Sequence, residues 1–132
     1  MKIGISIDVD DIDRAVDFYT RGIGLSVVER GSDCGPDWAH LTHEGQTIFI
    51  MQLPQGSEAV EIAHSPRDYS RHWTPIHLDF VVADIDKAVE RALTAGAKLD
   101  RPIQRRKKLA DMANMSDPFG SGFDLIQARK SD

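Results

Sequence analysis

Val9-Asp10-Asp11-Ile12-Asp13-Arg14-Ala15-Val16 returns seventy-three positions later as Val82-Ala83-Asp84-Ile85-Asp86-Lys87-Ala88-Val89, with six of the eight pairs identical and Arg14 against Lys87 keeping its charge. The match extends upstream. Ile5, Ile7 and Val9 alternate with Gly4, Ser6 and Asp8, and Leu78, Phe80 and Val82 alternate with His77, Asp79 and Val81. A period of two marks a strand with one face buried. Downstream, Asp11 and Asp84 stand where an N-cap is wanted, and Asp13 and Asp86 put negative charge in the first helical turn. Ile12, Ala15, Val16 and Tyr19 then follow at i, i+3, i+4 and i+7, as do Ile85, Ala88, Val89 and Ala92, which is the apolar stripe of a helix. Gly22 or Gly24, and Gly96, are the expected stops. The chain therefore contains a strand-to-helix unit twice.

Three β-type segments are expected after each helix. In the first half they are Leu25 to Glu29, Trp38 to Thr42 and Thr47 to Leu53, separated by turn residues at Gly31 to Pro36 and at Glu44-Gly45. In the second half they are Lys98 to Ile103, Leu109 to Met115 and Gly122 to Ala128, separated by a basic loop and by Asp117-Pro118-Phe119-Gly120. Pro54 to Pro75 has weak periodicity and reads as a linker, with a short helical turn near Ala59 to Ala63.

The bulk composition narrows the function. At 132 residues and 41% hydrophobic content the chain can bury the core of one domain. A formal charge of -5 argues against nucleic acid or an anionic membrane as partner. Cys34 is the only cysteine, so an intrachain disulfide and a cysteine-type zinc site are both excluded. It lies in a Gly/Pro/Asp turn and reads as a bystander thiol. The N-terminus lacks the apolar stretch of a signal peptide and no apolar run reaches spanning length, so a cytoplasmic location is expected.

Further carriers are Gly22-Ile23-Gly24-Leu25, Ile76-His77-Leu78-Asp79-Phe80-Val81-Val82 and the closing Asp117-Pro118-Phe119-Gly120-Ser121-Gly122-Phe123-Asp124-Leu125-Ile126. In this order the chain resembles the vicinal-oxygen-chelate superfamily of glyoxalases, bleomycin-resistance proteins and extradiol dioxygenases. The resemblance implies an α+β fold in which two βαβββ modules form paired half-barrels around a small-molecule cleft, usually within a homodimer. The expected organisation is one domain, with module one at residues 1–54, a linker at 55–74 and module two at 75–130.

Catalytic members of the superfamily hold a divalent metal through a residue at the start of each module's first strand and a carboxylate in the last strand. A histidine and carboxylate set of this kind suits iron, manganese, zinc or nickel and leaves positions open for substrate oxygens. The resemblance places His77 and Asp124 at two of these positions, but Gly4 at the third has no donor, and Asp124 is a methylene shorter than the usual glutamate. The corresponding position in module one is Phe49 or Met51, depending on the count. Two donors rarely hold a catalytic ion, so the expectation is a binding protein without a cofactor, in which His77 is hydrogen-bonded to Asp124. The alternative is a metal-dependent lyase, isomerase or dioxygenase using that pair.

Strand alternation directs Ser6, Asp8, Phe49, Met51 and Asp79 to the ligand side, with Trp38, Trp73 and Phe119 as candidate walls. Such a lining suits a flat or amphipathic organic ligand, including a cationic one. His40 and His43, three apart in a strand, face opposite ways, and His64 and His72 fall in the linker. Arg101 and Arg105-Arg106-Lys107-Lys108 form a basic patch that reads as a solvated hairpin loop.

Overall fold

The computed structural model describes residues 1–32, 35–61 and 64–129. Cys34 lies outside the described residues. The chain divides into two compact units, Met1–Tyr69 and Ser70–Asp132. Unit one carries β1 (Ile5–Val9), α1 (Ile12–Asp17), β2 (Ser26–Gly31), β3 (Trp38–His43) and β4 (Gln46–Gln52). Unit two carries β5 (Leu78–Val81), α2 (Ile85–Thr94), β6 (Lys98–Leu99), β7 (Asp111–Ser116) and β8 (Gly122–Gln127). The sheet orders are β1-β4-β3-β2 and β5-β8-β7-β6, so both halves have the βαβββ topology expected from the repeat.

The repeated sequence makes the same joints twice. The carboxylate of Asp11 accepts from the Arg14 N–H at 3.0 Å, and that of Asp84 from the Lys87 N–H at 3.1 Å. Each helix start is also tied to the last strand of its own module. Gln52 Oε1 accepts from the Ile12 N–H at 2.8 Å, and Gln127 Oε1 from the Ile85 N–H at 2.7 Å. These bonds satisfy amide donors that a helix start leaves without partners. Behind the first sheet, Val9, Ile12, Ala15, Leu41 and Ile50 are buried; behind the second, Ile85, Val89, Ala92, Ala113 and Leu125. Each large aliphatic side chain buried this way stabilises its unit by about 1.5–3 kcal/mol.

Three segments differ from the reading of the sequence. The first helix is α-helical only to Asp17 and continues as a π-helical turn from Phe18 to Ile23, closed by Gly24 at φ 103. There Thr20 Oγ1 donates to the Val16 carbonyl at 2.7 Å, taking the acceptor that a regular helix would offer the Thr20 N–H. β6 is two residues long and does not run to Ile103. Pro102 has no N–H to give the ladder, and pairing with β7 resumes only at Gln104 against Met112. Ala59 to Glu61 form bends and a turn, not a helix, and Ile62 and Ala63 lie outside the described residues.

The segment between the modules is bonded at both ends. The Gly56 N–H donates to the Arg67 carbonyl and the Arg67 N–H to the Ser57 carbonyl, each at 2.8 Å, the Tyr69 hydroxyl donates to the Leu53 carbonyl, and Arg67 Nε pairs with Asp8 at 2.7 Å. Beyond Tyr69 the chain joins unit two, where His72 pairs with Ser121. Burial pushes the Tyr69 hydroxyl pKa up.

Candidate functional site

The parallel pairing of β5 with β8 sets Asp79 beside Asp124, and β7 sets Asn114 on the other side of Asp124. His77 immediately precedes β5. The face turned away from α2 thus carries His77, Asp79, Asp124 and Asn114. His77 Nε2 stands 3.2 Å from an Asp124 oxygen and 3.4 Å from an Asp79 oxygen. One ligand atom from each of the three lies within 4.8 Å of the others. The expected His77–Asp124 contact is present, and Asp79 joins it as a third donor that the reading of the sequence did not count toward a metal.

Asp124 is 4% exposed, and a buried carboxylate without partners would be strongly unfavourable. A chain of donors meets this need. Arg106 donates to Gln104 Oε1 at 2.7 Å, Gln104 Nε2 donates to Asn114 Oδ1 at 2.9 Å, and Asn114 Nδ2 donates to Asp124 Oδ1 at 2.5 Å. Since the Asn114 oxygen is engaged by donors, its NH2 group must face the carboxylate. Arg101 Nε donates to the same Asn114 oxygen.

Trp73 stands beside this cluster. Its ring lies edge-on to the His77 imidazole, with centroids 5.3 Å apart, and its indole N–H donates to Asp100 Oδ2 at 2.7 Å. Asp100 also accepts from Ser116 Oγ at 2.6 Å and pairs with Arg71. Burial raises the Asp100 pKa, but the hydrogen bonds from Ser116, Trp73 and Arg71 outweigh it, so the carboxyl sits below its ordinary range. Trp73 rests directly on Gly122, where an added Cβ would lie 2.4 Å from the ring.

The register also settles which residue of module one corresponds to Asp124. Ser6 pairs with Phe49 as Asp79 pairs with Asp124, so Phe49 is the equivalent and Met51 lies one pleat further along. His40 faces Phe49 as Asn114 faces Asp124. His40 and Phe49 stack at 4.5 Å with planes 8° apart, and His40 Nε2 is buried with no hydrogen-bond partner among the described residues. The alternation of Trp38, His40 and Thr42 along β3 is the sequence signal that assigns His40 to the same face as Trp38. At the preceding position Gly4 is not held to glycine by crowding, because a Cβ there would meet nothing within 4 Å.

The remaining candidates are dispersed. Ser6 is exposed, Met51 is half-buried beside Trp38 and Asp8, and Asp8 is committed to Arg67. Trp38 covers Gly31 and borders a shallow hollow with Ile12, Asp13, Arg30 and Asp37. Phe119 is 0% exposed, in the core of unit two, and is no ligand wall. The Asp117 carboxylate draws it inward by accepting from the Phe119 and Ser121 N–H groups at 2.9 Å. Within the basic run, Arg105 pairs with Asp86 and Asp111, and Arg106 feeds the Asn114 chain, so only part of that run is a solvated face.

Two identically ordered four-stranded sheets, each with its helix behind it, give the chain the glyoxalase fold. Residues 4–126 match the glyoxalase-like domain family, to which this chain belongs. An uncharacterised protein of Mycobacterium tuberculosis is 31% identical over 121 residues, covering 90% of this chain and 69% of its own length. A lactoylglutathione lyase of Pseudomonas aeruginosa is 25% identical over 145 residues, covering 91% and 78%. Among solved structures, the fosfomycin resistance protein FosX of Listeria monocytogenes superposes with a TM-score of 0.72 at 16% identity, covering 98% of this chain and 93% of that one. The same protein has been crystallised, as a mutant, with Mn(II) and 1S,2S-dihydroxypropylphosphonic acid. A glyoxylase/bleomycin resistance protein/dioxygenase domain from Frankia superposes with a TM-score of 0.72 at 22% identity, covering 100% and 94%.

Proposed function

We propose that this protein binds a small organic ligand against the face of the second sheet that carries His77, Asp79, Asp124 and Trp73, with His77 and Asp124 acting as a hydrogen-bonding pair in a metal-free site. The supporting observation is the ordered chain of donors ending on Asp124, which fixes a buried carboxylate beside an imidazole at an aromatic wall. Such a pair can hold a polar group of a ligand or move a proton at His77 Nε2. On the first sheet, taken by itself, Ser6, Asp8, Phe49, Met51 and Trp38 remain proposed ligand-contacting residues of that unit.

A second reading has its own support in Asp79. With it, one nitrogen and two carboxylate oxygens converge, a donor set that fits a hard or borderline divalent ion such as iron, manganese, zinc or nickel. A bound ion would polarise a substrate oxygen, and the protein would then be a lyase, isomerase or dioxygenase. His77, Asp79 and Asp124 would hold the ion, and Asn114 would orient Asp124. Elemental analysis of untagged protein separates the readings. Less than a tenth of an ion per chain, with an aromatic ligand captured in the presence of chelator, fits the first. One ion per chain, lost in His77→Ala, fits the second and overturns the first.

We further propose that the protein is a homodimer. β2 lies at the edge of its sheet with Val27 and Val28 exposed, and an uncovered apolar edge invites pairing with another chain.

A further inference from the structure

Arg101 stands at the edge of this site, bonded through Nε to Asn114. Its neighbours in sequence and space are engaged: Arg71 pairs with Asp100, Arg105 lies between Asp86 and Asp111, and Arg106 serves Gln104. Arg101 is exposed and, among the described residues, pairs with no carboxylate. Yet it is not a loose surface arginine, because Nε is fastened to Asn114 Oδ1, the group that orients Asp124. That bond is not needed to hold Asn114, whose oxygen already accepts from Gln104 Nε2 at 2.9 Å. Immobilising a long side chain costs conformational entropy. What the bond does achieve is a guanidinium held two hydrogen bonds from Asp124, with its two terminal nitrogens left over.

A guanidinium fixed in this way matches the paired oxygens of a carboxylate, phosphonate or phosphate, each terminal N–H donating to one oxygen. Of the three carboxylates at the site, two already have donors of their own. Asp124 is already met by Asn114 and His77, and Asp100 by Ser116, Trp73 and Arg71. Only Asp79 keeps an exposed carboxylate, and it lies on the His77 side of the network. We infer that the ligand is an organic anion, its head group held by Arg101 and its apolar part lying along Trp73. This rests on the ligand-binding reading above and reverses the cationic alternative that the acidic lining suggested.

The test uses phenylphosphonate, benzyl alcohol and benzylamine, titrated by calorimetry into the full chain with chelator present and again with Mn(II). Phenylphosphonate should bind in chelator at least tenfold tighter than the other two. Arg101→Gln should weaken it by roughly tenfold to a hundredfold, the range for a lost charge-assisted bond, with an unchanged Tm because Gln104 still holds Asn114. Arg101→Lys, which keeps the charge and loses the fork, should fall between. Equal binding of benzyl alcohol, preference for benzylamine, or phenylphosphonate binding that needs Mn(II) and ignores Arg101→Gln would each overturn the anion assignment and leave ligand binding standing. If none of the three probes binds under either condition, both readings fall.

Discussion

Gly122→Ala is the smallest change that should dismantle the aromatic wall. The added Cβ would lie 2.4, 2.6 and 2.7 Å from Cδ2, Cε2 and Cε3 of Trp73, whereas carbon atoms rest at about 3.5–4.0 Å. The backbone at Gly122 is not in the left-handed region, so alanine is objectionable only through this contact. The ring must retreat by about 1 Å or swing away. Either movement breaks the 2.7 Å bond from the indole N–H to Asp100 and the edge contact with His77. Trp73 is 40% exposed and can move toward solvent, so the destabilisation should be near the lower end of the overpacking range, about 1 kcal/mol. For a chain of this size that corresponds to a fall of roughly 3–6 °C in Tm. In a Trp38→Phe background the remaining indole is Trp73, and its N–H resonance and emission maximum report its bond and exposure. An unmoved indole resonance together with an unchanged Tm would refute the geometry. Phenylphosphonate affinity should fall with the displaced ring.

Other outcomes follow from the same structure. Gln127→Ala leaves the Ile85 N–H at the start of α2 without its acceptor and should cost about 1–2 kcal/mol in a denaturant titration, as should Gln52→Ala at Ile12; a loss within experimental error at both would show that these bonds carry no weight. Asp100 has a depressed folded-state pKa, so its contribution is fully present above its unfolded value of about 3.9 and is lost as pH falls through the lower folded value. Melting curves taken below pH 4 should therefore converge for the wild type and Asp100→Asn, whereas a difference that persists unchanged would exclude this carboxylate as the source. Light scattering at tens of micromolar should give twice the chain mass, and Val27→Lys combined with Val28→Lys should shift it toward the monomer if β2 is the contact; a wild-type monomer mass would end the homodimer proposal.

The parts of the fold legible in the sequence are those where one residue type has one local role. Asp11 and Asp84 cap helices whatever surrounds them, and the alternation from Ile5 to Val9 has a single sensible strand reading. The length of β6 was obscured because the β-type residues around Pro102 suggest continuity that only the missing N–H interrupts. The fate of Phe119 was hidden for another reason. Whether a turn aromatic points inward depends on which N–H groups the preceding Asp117 captures, and that is a matter of three-dimensional closure. At the site, His77 and Asp124 were reachable through the repeat and the family pattern. Asn114, Gln104 and Asp100 were not, because their importance comes from the order in which donors meet acceptors across β6, β7 and β8, and spacing along the chain carries no record of it.

That ordering also explains why only one of two near-identical frameworks holds a polar cluster. The backbone slots filled by His77, Asp79, Asp124 and Asn114 in the second sheet are filled by Gly4, Ser6, Phe49 and His40 in the first. A buried carboxylate is stable only where donors are already aimed at it. In the second sheet the stretch after Pro102 returns Gln104 to the edge of β7, within reach of Asn114, and Arg106 closes the chain from behind. Between β2 and β3 the first sheet makes a different closure, in which Trp38 packs onto Gly31 and Arg30 turns to Asp13 on α1. No amide there is aimed at the slot beside His40 among the described residues, and the slot is filled by an aromatic ring whose stacking asks for no donor. The chemistry of the site is therefore set less by the shared βαβββ frame than by the irregular stretch from Asp100 to Arg106, and substitutions there should alter ligand choice while leaving both sheets intact.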